Sequence, residues 1–569
     1  FHTLKEPNSG IYVEQYCCTL SGPLDLEILQ KSWESLVQYH PVLRTAFIWD
    51  DLEQPLQQIN EQVPNEWYVE QAGERSADDI SQGIESYLRE DRIRGFKLNE
   101  PPLLRVGLFE LDDSRYRFIW SFHHIICDGW SSTQIIQELV AEYHSLSQGQ
   151  TIFKGQERPF RDFVSWIHEQ DHSSAKHFWK EELSGATSPT PLPTYQVDSQ
   201  RQGYGRHALP LSTEFTKALN AVARSRRLTV NTIIQGAWAL LLHFYSGEDD
   251  IIFGSTVSGR PPYFEDAQTM VGLFINTLPI RVEIELDRPF SDWLAALLEK
   301  QIRIRDFETS SLVNIQEWSE YQPGVPLFDS IVVFENVPTG QTGPDHPTEI
   351  TIDQVEYHEQ SNFPISIIVL PGEQLNLVAF YERSFFADDH ISSLLGHLRT
   401  IVEQFIDKPD QHLGSLSLLS PQEQEQLALW QGQTSAPHQR QGSVLQLFEE
   451  QASLHPGEDA VCYGLETLSY REINRRTNRL THYLGKQDIQ KGSYVGIYMD
   501  RSIEMIIAML AILKSGSAYV PLDPDYPESR IGYMLADVKP AAVLTLERLS
   551  AKLVGHEVRA ISIDSKDLG

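Results

Sequence analysis

The sequence is poor in the residues that build the simplest kinds of site. Cysteine occurs only four times, at 17, 18, 127 and 462, too few and too irregular for a disulfide framework or a Cys-x-x-Cys metal site. A reducing, cytoplasmic compartment fits that usage. Positive charge is also scarce: 46 Lys and Arg stand against 79 Asp and Glu, a formal net charge of −33. An acidic surface repels phosphate backbones and anionic lipid, which argues against a nucleic acid or membrane partner. Long apolar runs are missing too. The most apolar helical stretch, Ile233 to Tyr245, is about 13 residues and carries His243, too short to span a bilayer. No charged segment followed by an apolar core opens the chain, so no secretion signal is visible. Short-period repeats are likewise absent.

What is present is enough for several ordinary cores. With 569 residues, 41% hydrophobic and 10% aromatic, the chain exceeds the size of one core, and its length suggests about three or four domains. The most informative stretch is Trp120-Ser-Phe-His-His-Ile-Ile-Cys-Asp-Gly-Trp130. Upstream of the histidines, Tyr116, Phe118, Trp120 and Phe122 alternate at the period of a half-buried strand. Asp128-Gly129 turns the chain, and Ile135, Ile136, Leu139, Val140 and Tyr143 then form one apolar helical stripe, with Ser131 and Gln134 expected as its capping box.

Around this stretch the pattern is α/β. Residues 12–20 read as a strand, a helix runs from Asp25 to about Tyr39, and Val42 to Trp49 returns as a strand. Strands at 103–110 and 116–124 lead into the histidines, and this lobe (1–175) closes after Pro159-Phe-Arg-Asp-Phe-Val-Ser-Trp166. A second lobe, 176–415, holds a helix capped by Thr229 and ended by Gly247. That helix is apolar nearly all round, as expected of a central buried element. Strands follow at 250–257, 328–335, 365–370 and 375–381, and a helix near 388–406. Residues 416–442, rich in Gln, Ser, Pro and Gly, read as an interdomain linker. From 443 to 569 helices and strands alternate as in an open α/β sheet.

Imidazoles at a strand-to-turn junction suit proton chemistry, but neighbouring side chains on an extended segment point to opposite faces, so His123 and His124 cannot both line one cavity. No further ligands sit at metal spacing, so a metal site is not expected. Cys127 reads as a small buried hydrophobe.

His123-His-Ile-Ile-Cys-Asp-Gly129 resembles the HHxxxDG motif of condensation domains of nonribosomal peptide synthetases. Tyr39-His-Pro-Val-Leu-Arg-Thr-Ala-Phe47 resembles their RHxxLRTxF segment, with Tyr39 in place of the first arginine. Phe160-Arg-Asp-Phe-Val-Ser-Trp166 resembles YxDFAxW, and Val271-Gly-Leu-Phe-Ile-Asn-Thr-Leu-Pro-Ile-Arg281 resembles VGxFVNTxxxR. Phe1-His-Thr-Leu4 is similar to the tail of the family's first motif, which suggests that residues upstream of it are missing. Leu468-Ser-Tyr-Arg-Glu-Ile473 and Leu513-Lys-Ser-Gly-Ser-Ala-Tyr-Val-Pro-Leu-Asp523 resemble the first two motifs of an adenylation domain. The phosphate loop that should follow is not in the sequence.

The resemblance implies two chloramphenicol acetyltransferase-like lobes in a V-shaped pseudo-dimer, followed by an incomplete adenylation N-terminal subdomain that cannot activate an amino acid by itself. The implied reaction is amide formation: an aminoacyl amine on a downstream carrier protein attacks an acyl or peptidyl thioester on an upstream one. Phosphopantetheine arms belong to those carriers and not to this chain, no metal takes part, and the rest of the adenylation domain is a further partner in the same synthetase. His124 is then the catalytic residue. His123, Asp128, Gly129, Arg44 and Arg281 are structural, with Asp128 paired to Arg281 or Arg44 and Gly129 allowing close approach to the reacting groups. Asn276 and Trp130 would line the cleft. General-base catalysis contributes about 10²–10⁴-fold and one oxyanion donor about 10²–10³-fold, so magnitude leaves base, oxyanion donor and positioning group open. The competing readings are a silent scaffold that docks carriers, or a related acyltransferase.

Overall fold

The structure is a computed structural model and describes residues 2–73, 75–112, 114–153, 158–192, 203–335, 350–360, 362–431 and 442–565. Phe1 and residues 432–441, part of the expected linker, lie outside these. The chain forms two compact units, Phe1–Gly432 and Gln433–Gly569.

The first unit holds two sheets, one per lobe. In the first lobe the order is Thr351–His358, Val13–Ser21, Arg115–His123, Leu104–Asp112, Trp67–Glu70, antiparallel except for the last pair. Val13–Leu20 is buried throughout because both faces are covered. On one face Trp33, Trp120, Ile135 and Leu139 pack beneath helices Leu26–Tyr39 and Gly129–Ser147. On the other, Cys17, Phe109 and Ile119 meet Ile84, Tyr87 and Leu88 of helix Ala77–Arg94.

The second lobe carries a six-stranded mixed sheet, ordered Tyr204–Pro210, Asn376–Glu382, Ile365–Leu370, Ser330–Phe334, Asp250–Val257, Asn276–Glu283. Helix Val230–Ser246 lies in its core, buried without interruption from Thr232 to Leu242. Thr229 caps it by accepting from the Thr232 amide, and Gly247 ends it in the left-handed region. The two lobes are a chloramphenicol acetyltransferase-like pseudo-dimer, as the resemblance implied.

Three local expectations need correction. Pro41–Arg44 is a 3-10 turn, and only Thr45–Ile48 is strand, because proline supplies no amide for a ladder. Helix Gly129–Ser147 is capped by Asp128, whose carboxylate accepts from the Ser131 amide at 2.8 Å, not by Ser131. Thr351–His358 leaves the second lobe's sequence to pair with Val13–Ser21 in the first lobe's sheet. It is mostly exposed, so it shows no apolar alternation that would betray a strand.

The second unit has an all-parallel sheet ordered Ala518–Leu522, Tyr494–Tyr498, Ala542–Thr545, Ala560–Ser562, with helices between its strands, and a separate hairpin of Asp459–Tyr463 and Glu466–Ser469. No helix among the described residues is long and apolar enough to cross a membrane.

Candidate active site

The strand Arg115–His123 ends at the wall of a cavity of about 2120 Å³ inside the first unit. Pairing fixes this end: Val13 lies opposite His123, and the His124 amide donates to the Tyr12 carbonyl at 2.8 Å.

The two histidines have opposite circumstances. His123 is buried, with both ring nitrogens engaged. Its Nδ1 accepts from the Ile125 amide at 3.0 Å, so the proton resides on Nε2, which donates to Thr3 Oγ1 at 2.9 Å. Burial, with lesser repulsion from His124 and the N-terminus, pushes its pKa down to about 3. His123 is therefore a neutral anchor. His124 opens a single 3-10 turn, His124–Ile126, and its Nδ1 lies 2.9 Å from the Cys127 carbonyl oxygen. A carbonyl can only accept, so Nδ1 carries the proton and the lone pair is left on Nε2. His124 lines the cavity. The orienting group is thus the backbone of Cys127, whose thiol is fully buried and raised far above the ordinary thiol range, chiefly by desolvation.

Asp128 is buried and saturated. It accepts from the amides of Ser131 (2.8 Å), Phe274 (2.9 Å) and Ile275 (3.3 Å), and from Arg260 Nη2 at 3.2 Å. The expected partners do not reach it. Arg281 pairs with Asp250 at 2.8 Å and donates to the Ser184 carbonyl. Arg44 donates to the carbonyls of Val37, Gln38, Asn60 and Glu61. Both are occupied locally, and Asp128 draws its arginine from the turn at 258–262. Arg260 is buried, donates also to the carbonyls of Ala267 and Met270 and to Ser131 Oγ, and lies 4.0 Å from the Phe274 ring centroid. Its Gly-Arg-Pro-Pro setting marked a turn in the sequence, but nothing there named a partner 132 residues away.

Gly129 lines the cavity, and a Cβ there would meet, among the described residues beyond its chain neighbours, no atom within 4 Å. The protein itself leaves room for a side chain, so the demand for glycine comes from the cavity side. Trp130 also lines the cavity, its indole N–H donating to the Gln268 carbonyl at 3.1 Å. Asn276 lines it from the second lobe, its amide nitrogen donating to the carbonyls of Glu308 (2.9 Å) and Ser310 (2.7 Å). The structure therefore brings His123, His124, Asp128, Gly129, Trp130 and Asn276 to one cavity, and leaves Arg44 and Arg281 as supports elsewhere; the expectation that the two histidines could not share a cavity fails because His124 stands in a 3-10 turn and not on the extended strand. Among the described residues no group of three or more His, Cys, Asp or Glu could hold a metal ion.

Comparison with known proteins places this geometry. The condensation-domain family model matches residues 1–428, and the AMP-binding-enzyme model matches residues 448–567. One component of the linear gramicidin synthase of Brevibacillus parabrevis is 38% identical over 99% of this chain, which spans 7% of that protein. Another component of the same synthase is 39% identical over 99% of this chain, which spans 11% of it. The chain thus covers about a tenth of these curated relatives. Among solved structures, holo-AB3403, a four-domain nonribosomal peptide synthetase bound to AMP and glycine, superposes with a TM-score of 0.74 at 19% identity, covering 99% of this chain and 44% of that one. The first condensation domain of the calcium-dependent antibiotic synthetase, in complex with a substrate analogue, gives 0.61 at 16% identity, covering 74% and 96%. These structures share the fold. The chain belongs to the condensation-domain family of nonribosomal peptide synthetases, followed by the N-terminal part of an AMP-binding enzyme domain.

Proposed function

We propose that residues 1–428 form an amide bond by transferring an acyl or peptidyl group from the thioester of an upstream carrier protein to the amine of an aminoacyl group on a downstream carrier. Both would be presented on phosphopantetheine arms. The observation that carries this reading is the His124–Cys127 hydrogen bond, which leaves the Nε2 lone pair at a cavity reached from both lobes. A lone pair accepts, so the neutral ring serves the attacking amine, as base or by holding its N–H. An oxyanion donor role would need the ring protonated first. An α-ammonium with a pKa near 8 is only about a tenth deprotonated at pH 7, so a group that receives or shares its proton matters. Asp128 and Arg260 hold the turn and stay out of the chemistry, and His123 and Thr3 fix the strand end. Asn276 and Trp130 shape the cleft.

The 448–567 segment contains no phosphate loop, and as it stands is proposed not to activate an amino acid by itself; amino-acid-dependent pyrophosphate exchange by this chain would contradict that. The condensation reading is tested with separately loaded donor and acceptor carrier proteins and mass spectrometry of the acceptor. Transfer by the native chain, lost in His124→Ala, is expected. Undiminished transfer by His124→Ala would remove His124 from the mechanism, and no transfer by the native chain would leave a docking scaffold.

A further inference from the structure

Among the chain segments that line the cavity with His124, three bring a carboxyl group. Glu14 follows Tyr12, which the His124 amide grips; Glu335 follows strand Ser330–Phe334, with its amide on the Val369 carbonyl at 3.0 Å; Glu359 follows strand Thr351–His358. All three line the cavity. Glu14 is 6% exposed. Among the described residues its side chain makes no hydrogen bond and no ion pair, so a nearly buried carboxyl, of a kind that is ordinarily hydrogen-bonded or paired, has its bonding capacity open to the cavity.

We propose that Glu14, backed by Glu359 and Glu335, binds the α-ammonium of the incoming acceptor and takes the first of its two protons, beside His124. The proposal rests on the amide-forming reading and adds a binding residue to it. In the balanced reaction the carbonyl carbon exchanges its C–S bond for a C–N bond and the nitrogen sheds two protons. One ends on the departing thiolate and the other in solvent, and the carboxyl pair is the first stop of the latter.

The charges around Glu14 suit this part. Arg92 of helix Ala77–Arg94 is its cationic neighbour, while Glu335, Glu359, the Tyr12 hydroxyl and the Cys127 thiol surround it with groups that are neutral or negative; His124 faces Glu335 and Glu359. Burial first, and repulsion within the set second, push Glu14 and Glu359 well above the usual carboxylate range. Such a pair retains protons near neutral pH. An arriving ammonium displaces the carboxyl's own proton to solvent, and the carboxylate so formed takes a share of one proton of the nitrogen, which generates the nucleophilic amine where His124 can meet it. A hydroxyl acceptor offers no such exchange.

The test is isothermal titration of the full chain at pH 7 with two unreactive thioether mimics of an acceptor arm, one ending in an amine as in glycyl-pantetheine and one in a hydroxyl. Each is run in two buffers of different ionisation enthalpy. Expected are at least about tenfold tighter binding of the amine mimic and net proton release approaching one per site, both lost in Glu14→Gln while the hydroxyl mimic binds as before. Glu14→Asp, with the carboxyl on a shorter stem, should keep part of the release, and it decides the matter should Glu14→Gln not fold. Equal binding of the two mimics by the native chain, or an amine preference untouched in Glu14→Gln, overturns the proposal. These readouts need no turnover, so failure of the condensation assay and failure of this inference are separate results.

Discussion

Arg260 Nη2 sits 3.2 Å from Asp128 Oδ1, with 1% of the arginine side chain and 3% of the aspartate side chain exposed. This contact joins the turn after the histidines to the second lobe. Two buried charges hold each other there only because their remaining hydrogen-bonding capacity is nearly all used: three backbone amides on Asp128, two carbonyls and a hydroxyl on Arg260. Removing one partner leaves the other buried and uncompensated. Arg260→Met should destabilise the first unit by about 3–5 kcal/mol, read as a lowered midpoint of chemical unfolding. In the double variant with Asp128→Asn the loss should be clearly less than the sum of the two single losses. Additive losses would show that the pair is not coupled.

The two histidines predict a separation of activity from stability. His124→Ala removes a group with one intramolecular side-chain bond at a cavity wall, so transfer should fall by about 10²–10⁴-fold, the span of a lost general base, with little change in unfolding midpoint. His123 should do the reverse. Its folded pKa, near 3, lies below its unfolded value of 6.5. The unfolded chain therefore binds more protons between those values, so His123's contribution is present above pH 6.5 and is lost as pH falls toward 3. His123→Gln should flatten the acid side of the stability profile between about pH 6 and 4, measured by denaturant midpoints at intervals of pH. An unchanged slope would remove His123 as its source.

How much of this was legible follows from the range of each interaction. Strand Arg115–His123, the helix after it and the buried helix Val230–Ser246 are written in local period, and for the last of them Thr229 and Gly247 also stand where the capping rules put them. Strand geometry did not separate His123 from His124, because the strand ends at His123 and both line the cavity; burial and hydrogen bonding distinguish them. Arg260 was not legible either, because a buried ion pair across 132 residues leaves no local trace, and Arg281 and Arg44 were equally plausible until their carbonyl and Asp250 partners were seen. Strand Thr351–His358 escaped for a different reason. It is held to Val13–Ser21 by backbone pairing, and to the strand beyond by Arg117 of Arg115–His123, which donates to the Gln354 carbonyl at 2.8 Å and pairs with Glu356 at 2.6 Å. An exposed strand of that kind needs no apolar pattern.

The helix Pro421–Trp430 offers a prediction at the far end of the first unit. Glu423 accepts from His397 Nε2 at 2.9 Å while also closing the helix's capping box with Ser420, and His397 Nδ1 meets the Tyr245 hydroxyl at 2.8 Å. None of that helix's own residues is buried, so these polar contacts are a large part of what holds it. His397→Ala should speed proteolytic cutting within 421–430 while leaving the rest of the unit resistant. Unchanged cutting would mean that the helix is secured elsewhere.

Two glycines near the site should respond in opposite ways to the same added methyl group. Gly259 has φ +63°, a region that alanine occupies at a cost, and its Cβ would lie 1.7 Å from the Phe274 carbonyl oxygen. No side chain can move to relieve that clash, because the obstacle is backbone. The turn carrying Arg260 would have to retreat from the segment whose amides bind Asp128, so Gly259→Ala should lower both stability and transfer. Gly129 has ordinary φ, and its added methyl would meet, among the described residues beyond its chain neighbours, no atom within 4 Å. Gly129→Ala should therefore unfold at nearly the native midpoint, even gaining slightly from a less free unfolded chain, yet transfer more slowly because the methyl occupies the space where the acceptor must come close to His124. Thermal unfolding and single-turnover transfer, measured on both variants, decide this. Slow transfer in Gly259→Ala with a native unfolding midpoint, or normal transfer in Gly129→Ala, would show that the cavity does not use its wall in this way.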